Sequence, residues 1–356
     1  MVNTKMLPPD WQAVQWDSGC GDGIFITIML HGKRFRVSIL PPSSPDAMEG
    51  LLISRFDSIP HEDEERSFAI QREIELLVYE AGGSIWTRLA PPILEKPEPS
   101  DLHSHLYPET FAFRFITKDG KGELIPDPIE GEPNHHHPSG NRIVNDIGLP
   151  QYSSRDILVL EIITGQGDIT KVSVGGTEMC CKSGEEAFFK GLEREFDCLR
   201  TVARSHLADS IRVPKLLGLV TSAETGEIIG ILEEYIPTGN PYTLGNLEDK
   251  EGSEHGAEHE GMEEEGVEVE AMEASMERRK KWGAQVQETV DLLHEIGVIW
   301  GDGKPHNVLI HKETDDAWVV DFGGGYTHNW VDEELMESRQ GDEQAVGKIL
   351  QFLEAQ

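Results

Sequence analysis

Six residues in the second half of the chain have types and spacings that fit one chemistry. Asp302, Lys304 and Asn307 share the run Trp300-Gly301-Asp302-Gly303-Lys304-Pro305-His306-Asn307. Asp321 opens Asp321-Phe322-Gly323 just past a second run. Lys182 closes a β-rich run and is followed by a Glu-rich segment that contains Glu195. A carboxylate and an amide oxygen, from Asp321 and Asn307, are hard ligands of the kind Mg²⁺ prefers. Asp302, five positions before Asn307, suits the carboxylate that orients an attacking hydroxyl. Lys304 suits the cation beside a transferred phosphoryl group. Lys182, held straight by Glu195, would reach a polyphosphate from the opposite side. Together these are the groups that phosphoryl transfer from ATP requires.

The elements that must position them can be read from pattern. Residues 157–163 form an apolar strand, followed by Gly165-Gln166-Gly167 and short strands at 171–174 and 179–182. Ser183 and Glu186 have capping-box spacing, and Phe188, Leu192, Phe196 and Leu199 recur at helical spacing, so 185–202 is expected to be a helix. Strands are expected at 216–221 and 228–234. A helix at 279–296 carries Trp282, Val286, Val290 and Leu293 on one face, a hairpin pairs 308–310 with 318–320, and a last helix spans 342–354. The first third reads as α+β: a hairpin of 25–30 with 34–40, a helix at 65–80 and a strand at 111–117.

Asp-x-Lys-x-x-Asn, then a hairpin, then Asp-Phe-Gly resembles the catalytic core of the protein-kinase superfamily. The wording Trp-Gly-Asp-x-Lys-Pro-x-Asn with Asp-Phe-Gly-Gly-Gly-Tyr is similar to a group of fungal kinase-like proteins. The resemblance covers about 156–353. It implies a two-lobed protein-kinase-like fold of the α+β class, with a β-rich N-lobe at 151–237 and a shortened helical C-lobe at 279–356. It also implies ATP and Mg²⁺ as cofactors. By the same resemblance Asp302 is the catalytic base and Lys304 its phosphate partner, while Asn307 and Asp321 are the metal ligands. Lys182 and Glu195 are the paired lysine and helix glutamate, with Glu193 as rival. Gly165 and Gly167 form a reduced glycine-rich loop, the backbone at Glu234 and Ile236 bonds adenine, and Asp342 braces the catalytic loop. The chain departs from the family pattern in three ways: Trp300-Gly301-Asp302 replaces His-Arg-Asp, a third loop glycine is lacking, and 35 residues follow Asp321 without an Ala-Pro-Glu. ATP- and Mg²⁺-dependent transfer to a protein Ser/Thr or a small-molecule hydroxyl is therefore the leading expectation. The alternative is a pseudokinase that keeps the fold as a binding or interaction module.

Composition sets the surroundings. The chain has 356 residues, enough for two domains or three. The expected division is an N-terminal α+β region at 1–117, a Pro/Gly/His-rich linker at 118–150 and the kinase-like domain at 151–356. Acids number 65 against 31 Lys and Arg, for a net −34, a field that repels nucleic-acid phosphate and anionic lipid. Residues 248–277 hold 13 of those acids and one Lys. The segment 245–278 is expected to be a solvated insertion that would suit a basic protein partner. His135-His136-His137 reads as solvated loop rather than metal site, since structural sites draw fixed ligands from separate elements. Four cysteines without Cys-x-x-Cys spacing, no signal pattern and no long apolar run lead to the expectation of a reduced, soluble, cytoplasmic or nuclear protein.

Overall fold

Apolar residues at period two build a sheet from the first third of the chain. The structure is a computed structural model and describes residues 7–19, 22–42, 44, 47–59, 64–92, 99–127, 143–163, 169–183, 186–250 and 276–355. Strands β1 (Gln12–Gly19), β2 (Gly23–Leu30) and β3 (Lys33–Ile39) pair antiparallel in sequence order. Ile24, Ile26 and Ile28 alternate onto one buried face, with Phe35, Val37 and Ile39 beside them. Helices α1 (Met48–Asp57), α2 (Glu64–Gly82), α3 (Ser84–Leu89) and α4 (Leu102–Leu106) then form the crossover that brings β4 (Thr110–Lys118) in parallel to β3. Ile70, Ile74 and Val78 turn one face of α2 onto that core. The stretch expected to be a linker from 118 onward begins instead with β5 (Lys121–Pro126), paired antiparallel with β4. Asp119 and Gly120, at φ 50° and 73°, close the two-residue turn that makes this hairpin.

These elements belong to the first of two units, residues 1–135 with 158–167; the second takes 136–157 and 168–356. In chain order β6 (Gln151–Ser153) belongs to the second unit, and β7 (Ile157–Ile162) belongs from Leu158 onward to the first. There the Val159 N–H donates to the Ser100 carbonyl at 2.9 Å.

The second unit is built around β8 (Ile169–Val174), β9 (Thr177–Ser183), β10 (Leu216–Thr221) and β11 (Ile228–Glu234), hydrogen-bonded with β6 in the order β6-β10-β11-β9-β8. Helix α5 (Glu186–Arg204) follows β9 and presents Phe189, Leu192, Phe196, Leu199 and Val202 to the core. Ser183, expected to cap this helix, is the last residue of β9. The same core runs through α6 (Met276–Glu295) and α7 (Arg339–Ala355) by way of Trp282, Val286, Val290, Leu293, Val346 and Ile349. A small sheet of β12 (Thr238–Thr243), β13 (Val308–His311) and β14 (Ala317–Val319) completes the unit. The fold class is α+β, with β-rich sheets and seven α-helices among the described residues. No helix of the described residues is long and apolar enough to cross a membrane. Most of the acidic stretch (251–275), His135-His136-His137 and the loop with Gly165 and Gly167 lie outside the described residues.

Candidate active site

Local chain geometry brings Asp302, Lys304 and Asn307 together. After α6 ends, the chain enters a loop whose Trp300 side chain is fully buried and donates its Nε1–H to the Val320 carbonyl at 2.9 Å. A buried indole with its one donor satisfied fixes the entry to the loop. Asp342, on the first turn of α7 and 1 % exposed, accepts from the backbone N–H of Trp300 at 2.8 Å and of Gly301 at 2.9 Å. Its carboxylate also meets His294 Nε2 at 2.8 Å. Three contacts on one buried carboxylate over-determine the backbone just before Asp302.

The Asp302 carboxylate is itself held on both oxygens. Lys304 Nζ donates to Oδ2 at 2.7 Å, and the Thr327 hydroxyl donates to Oδ1 at 2.8 Å. Lys304 also reaches Thr327 Oγ1 at 3.0 Å, so the three side chains form a closed ring. Asn307 donates its Nδ2–H to the Asp302 carbonyl at 2.9 Å. That bond sets the amide orientation and turns Oδ1 away from Asp302. The Val320 N–H donates to the Asn307 carbonyl at 3.0 Å, which places Asp321 one residue from this loop. Asp321 has φ 66°, a left-handed conformation that an Asp adopts more readily than most residues, and its Oδ1 accepts from the Gly323 N–H at 3.3 Å.

Lys182 is close enough to Asp321 for the carboxylate to act on its charge. Its Nζ is 2.5 Å from Glu195 Oε1 and 3.7 Å from Glu233 Oε2, and the three side chains are 7, 5 and 2 % exposed. Glu195 Oε1 also accepts from the Phe322 N–H at 3.1 Å, which joins this ion pair to the Asp321 turn. Of the two acids weighed for the lysine partner, the contact belongs to Glu195. Glu193 lies about 200° around the helix from Glu195, so it does not share the direction of the lysine contact. Burial alone would pull the lysine pKa down, but Glu195, Glu233 and Asp321 outweigh it and push it above the ordinary value. Burial pushes Glu233 up to about 8; Lys182 pulls it down, and Glu195 and Asp321 add to the rise. Its Oε1 has no hydrogen-bond partner among the described residues.

Lys182, Glu195, Asp302, Lys304, Asn307 and Asp321 thus form one connected network within the second unit. Glu234 and Ile236 stand at the end of β11 and just beyond it. The Glu234 N–H is taken by the Lys215 carbonyl at 2.9 Å, and Ile236 is buried. Gly165 and Gly167 are outside the described residues. Three participants were not foreseen from the sequence: Glu233, Thr327 and Arg194. Glu233 was legible in principle, since its register opposite Cys180, with Lys182 opposite Ile231, puts it on the lysine's face of the sheet. Nothing local marks Thr327 or Arg194.

A carboxylate and an amide oxygen on adjoining segments form an oxygen donor set that fits a hard divalent cation, and Asp321 and Asn307 would hold it. Among the described residues no cluster of three or more His, Cys, Asp or Glu is built to bind a metal alone. A comparison with protein-family models gives no match, and none of the curated proteins matches the chain.

Proposed function

We propose that the second unit is an ATP- and Mg²⁺-dependent phosphotransferase acting on a hydroxyl, of a protein Ser/Thr or of a small molecule. One observation carries this reading. A buried carboxylate bonded to a lysine, Asp302 with Lys304, is linked through Asn307 and the 320–322 backbone to Asp321 and to a buried Lys182–Glu195 pair. The protein-kinase resemblance of the same residues supports it.

Each residue then has a task its position allows. Lys182 neutralises phosphate charge from inside the sheet, and Glu195 keeps its side chain extended. Bound Mg²⁺ would supply charge neutralisation of the polyphosphate. Asp321 and Asn307 offer the oxygens to hold it. Asp302 accepts the acceptor hydroxyl's proton at one carboxylate oxygen, and Lys304 compensates the charge that gathers beside it. Two tightly held oxygens on Asp302 mean that little reorientation precedes proton transfer.

The test is calorimetry of ATP binding with and without Mg²⁺, joined to transfer of labelled phosphate onto candidate acceptors. Wild type is expected to bind ATP in a Mg²⁺-dependent manner, and Asp321→Asn to lose that dependence. Unchanged Mg²⁺-dependent affinity in the variant, or no ATP binding by wild type, refutes the reading. Binding without transfer to any acceptor would assign the unit to nucleotide-binding modules instead.

A further inference from the structure

The residue before Asp302 is glycine, and the space beside it is filled by a charge from elsewhere. Gly301 has φ 98°, and a Cβ built on it would lie 2.6 Å from Nη2 of Arg194. Arg194 is on α5, immediately before Glu195. Adjacent helix positions diverge by about 100°. The same turn of α5 therefore sends Glu195 to Lys182 and Arg194 to the loop. Nη2 donates to the Ile299 carbonyl at 3.0 Å. Nη1 donates to the Trp300 carbonyl at 3.1 Å and also to the Phe322 carbonyl. The helix approaches closely here, since a Cβ on Gly191, nearly one turn earlier, would stand 3.3 Å from the Gly323 carbonyl oxygen.

Chemistry explains why arginine stands at this position. A planar guanidinium offers five donors in a fixed fork, whereas a lysine ammonium is a point charge on a flexible stem. Arg194 can therefore bridge carbonyls on two separate segments at once. Its acceptors are backbone carbonyls, which neither titrate nor accept a covalent modification.

We propose that Arg194 is the positioning residue of this site. It ties α5, the loop before Asp302 and the turn after Asp321 into one arrangement, so that the site is assembled without a phosphorylated side chain. The inference rests on the phosphotransferase reading for what the assembled site does, and on hydrogen bonding alone for the clamp. Two links join α5 to the Asp321 turn: the Arg194 bond to the Phe322 carbonyl and the Glu195 bond to the Phe322 N–H. The link from α5 to the Asp302 loop described above is Arg194's.

Hydrogen exchange on the full chain tests this, with Arg194→Met and Arg194→Lys beside wild type. The amides to follow are those of Trp300, Gly301, Phe322 and Gly323. In Arg194→Met they are expected to exchange at least about tenfold faster, with β10 and β11 unchanged. Arg194→Lys, which keeps the charge and part of the donation, should fall between. Turnover should drop about 30-fold in Arg194→Met with the KM for ATP within about threefold, because the phosphate contacts of Lys182 remain. Phosphatase treatment of wild type should leave its turnover unchanged. Unaltered exchange at the four amides overturns the proposal. So does exchange that rises equally across the β10–β11 ladder, which would make Arg194 a general stability residue. Loss of wild-type turnover on dephosphorylation overturns it as well. Should wild type fail to bind ATP with Mg²⁺, the phosphotransferase reading falls, and the exchange data still decide the clamp.

Discussion

Lys182→Met removes the cation that Glu195 and Glu233 share, and the structure allows its cost to be worked out. The two oxygens lie 2.5 and 3.7 Å from Nζ. At an effective dielectric of about 20, those separations give about 7 and about 4 kcal/mol of gross attraction. Most of this offsets the cost of removing the charges from water. Deleting the lysine leaves that cost without its compensation, and breaking a buried pair in this way destabilises by about 3–5 kcal/mol. In a unit of this size the melting temperature would fall by roughly 6–20 °C. The loss must depend on pH. Without Lys182 the folded-state pKa of Glu233, already raised to about 8, rises further above the unfolded value of about 4.3. A group raised in the folded state contributes stability that is present below the unfolded pKa and is lost as pH rises through the folded one. The variant's deficit should therefore be small near pH 5 and full near pH 9. Urea unfolding of wild type, Lys182→Met and the triple variant Lys182→Met, Glu195→Gln, Glu233→Gln at both pH values measures this. The triple variant should recover much of the alkaline loss. A Lys182→Met protein within about 1 kcal/mol of wild type at pH 9, or one with the same deficit at both pH values, would refute the electrostatic account.

Glu233→Gln should gain stability relative to wild type as pH rises from 5 to 9, by about 1–3 kcal/mol, because the raised pKa of Glu233 makes its ionisation through about pH 8 costly; parallel melting curves across that range would contradict it. Asp302→Asn should leave ATP affinity within a few-fold while turnover falls about 10²-fold or more, as expected of a group whose work is in the transition state. Steady-state kinetics beside calorimetry separates the two. Asp342→Asn keeps one carbonyl oxygen for two backbone donors, Trp300 and Gly301, so thermal melting should show a loss of about 1–3 kcal/mol. A neutral outcome would mean the loop is held by Trp300 packing alone.

The sequence by itself determined the local geometry of this site. Asp302, Lys304 and Asn307 sit in one short loop, and a few residues in a loop can hardly avoid meeting. Glu193 stayed open beside Glu195 as the lysine's partner until the fold chose Glu195, but α5 itself was legible, because the buried face of a helix recurs at its period, here at Leu192, Phe196 and Leu199. The strands at 216–221 and 228–234 were legible for the same reason: a buried strand is apolar at nearly every position. Asp119-Gly120 was an equally local signal, and reading that stretch as linker overlooked a turn that pairs β5 with β4. What only the tertiary structure decided is which faces meet. Thr327 closes on Asp302 across 25 positions, Asp342 reaches Trp300 across 42, and Arg194 reaches Trp300 across 106. Backbone periodicity sets the direction of a side chain relative to its own element. It carries no information about an acceptor a hundred residues away, because that distance is set by the packing of α5, α6 and α7 around a common core. A backbone carbonyl, moreover, looks the same at every position in a sequence, so the oxygens that Arg194 holds become visible only when the chain is folded.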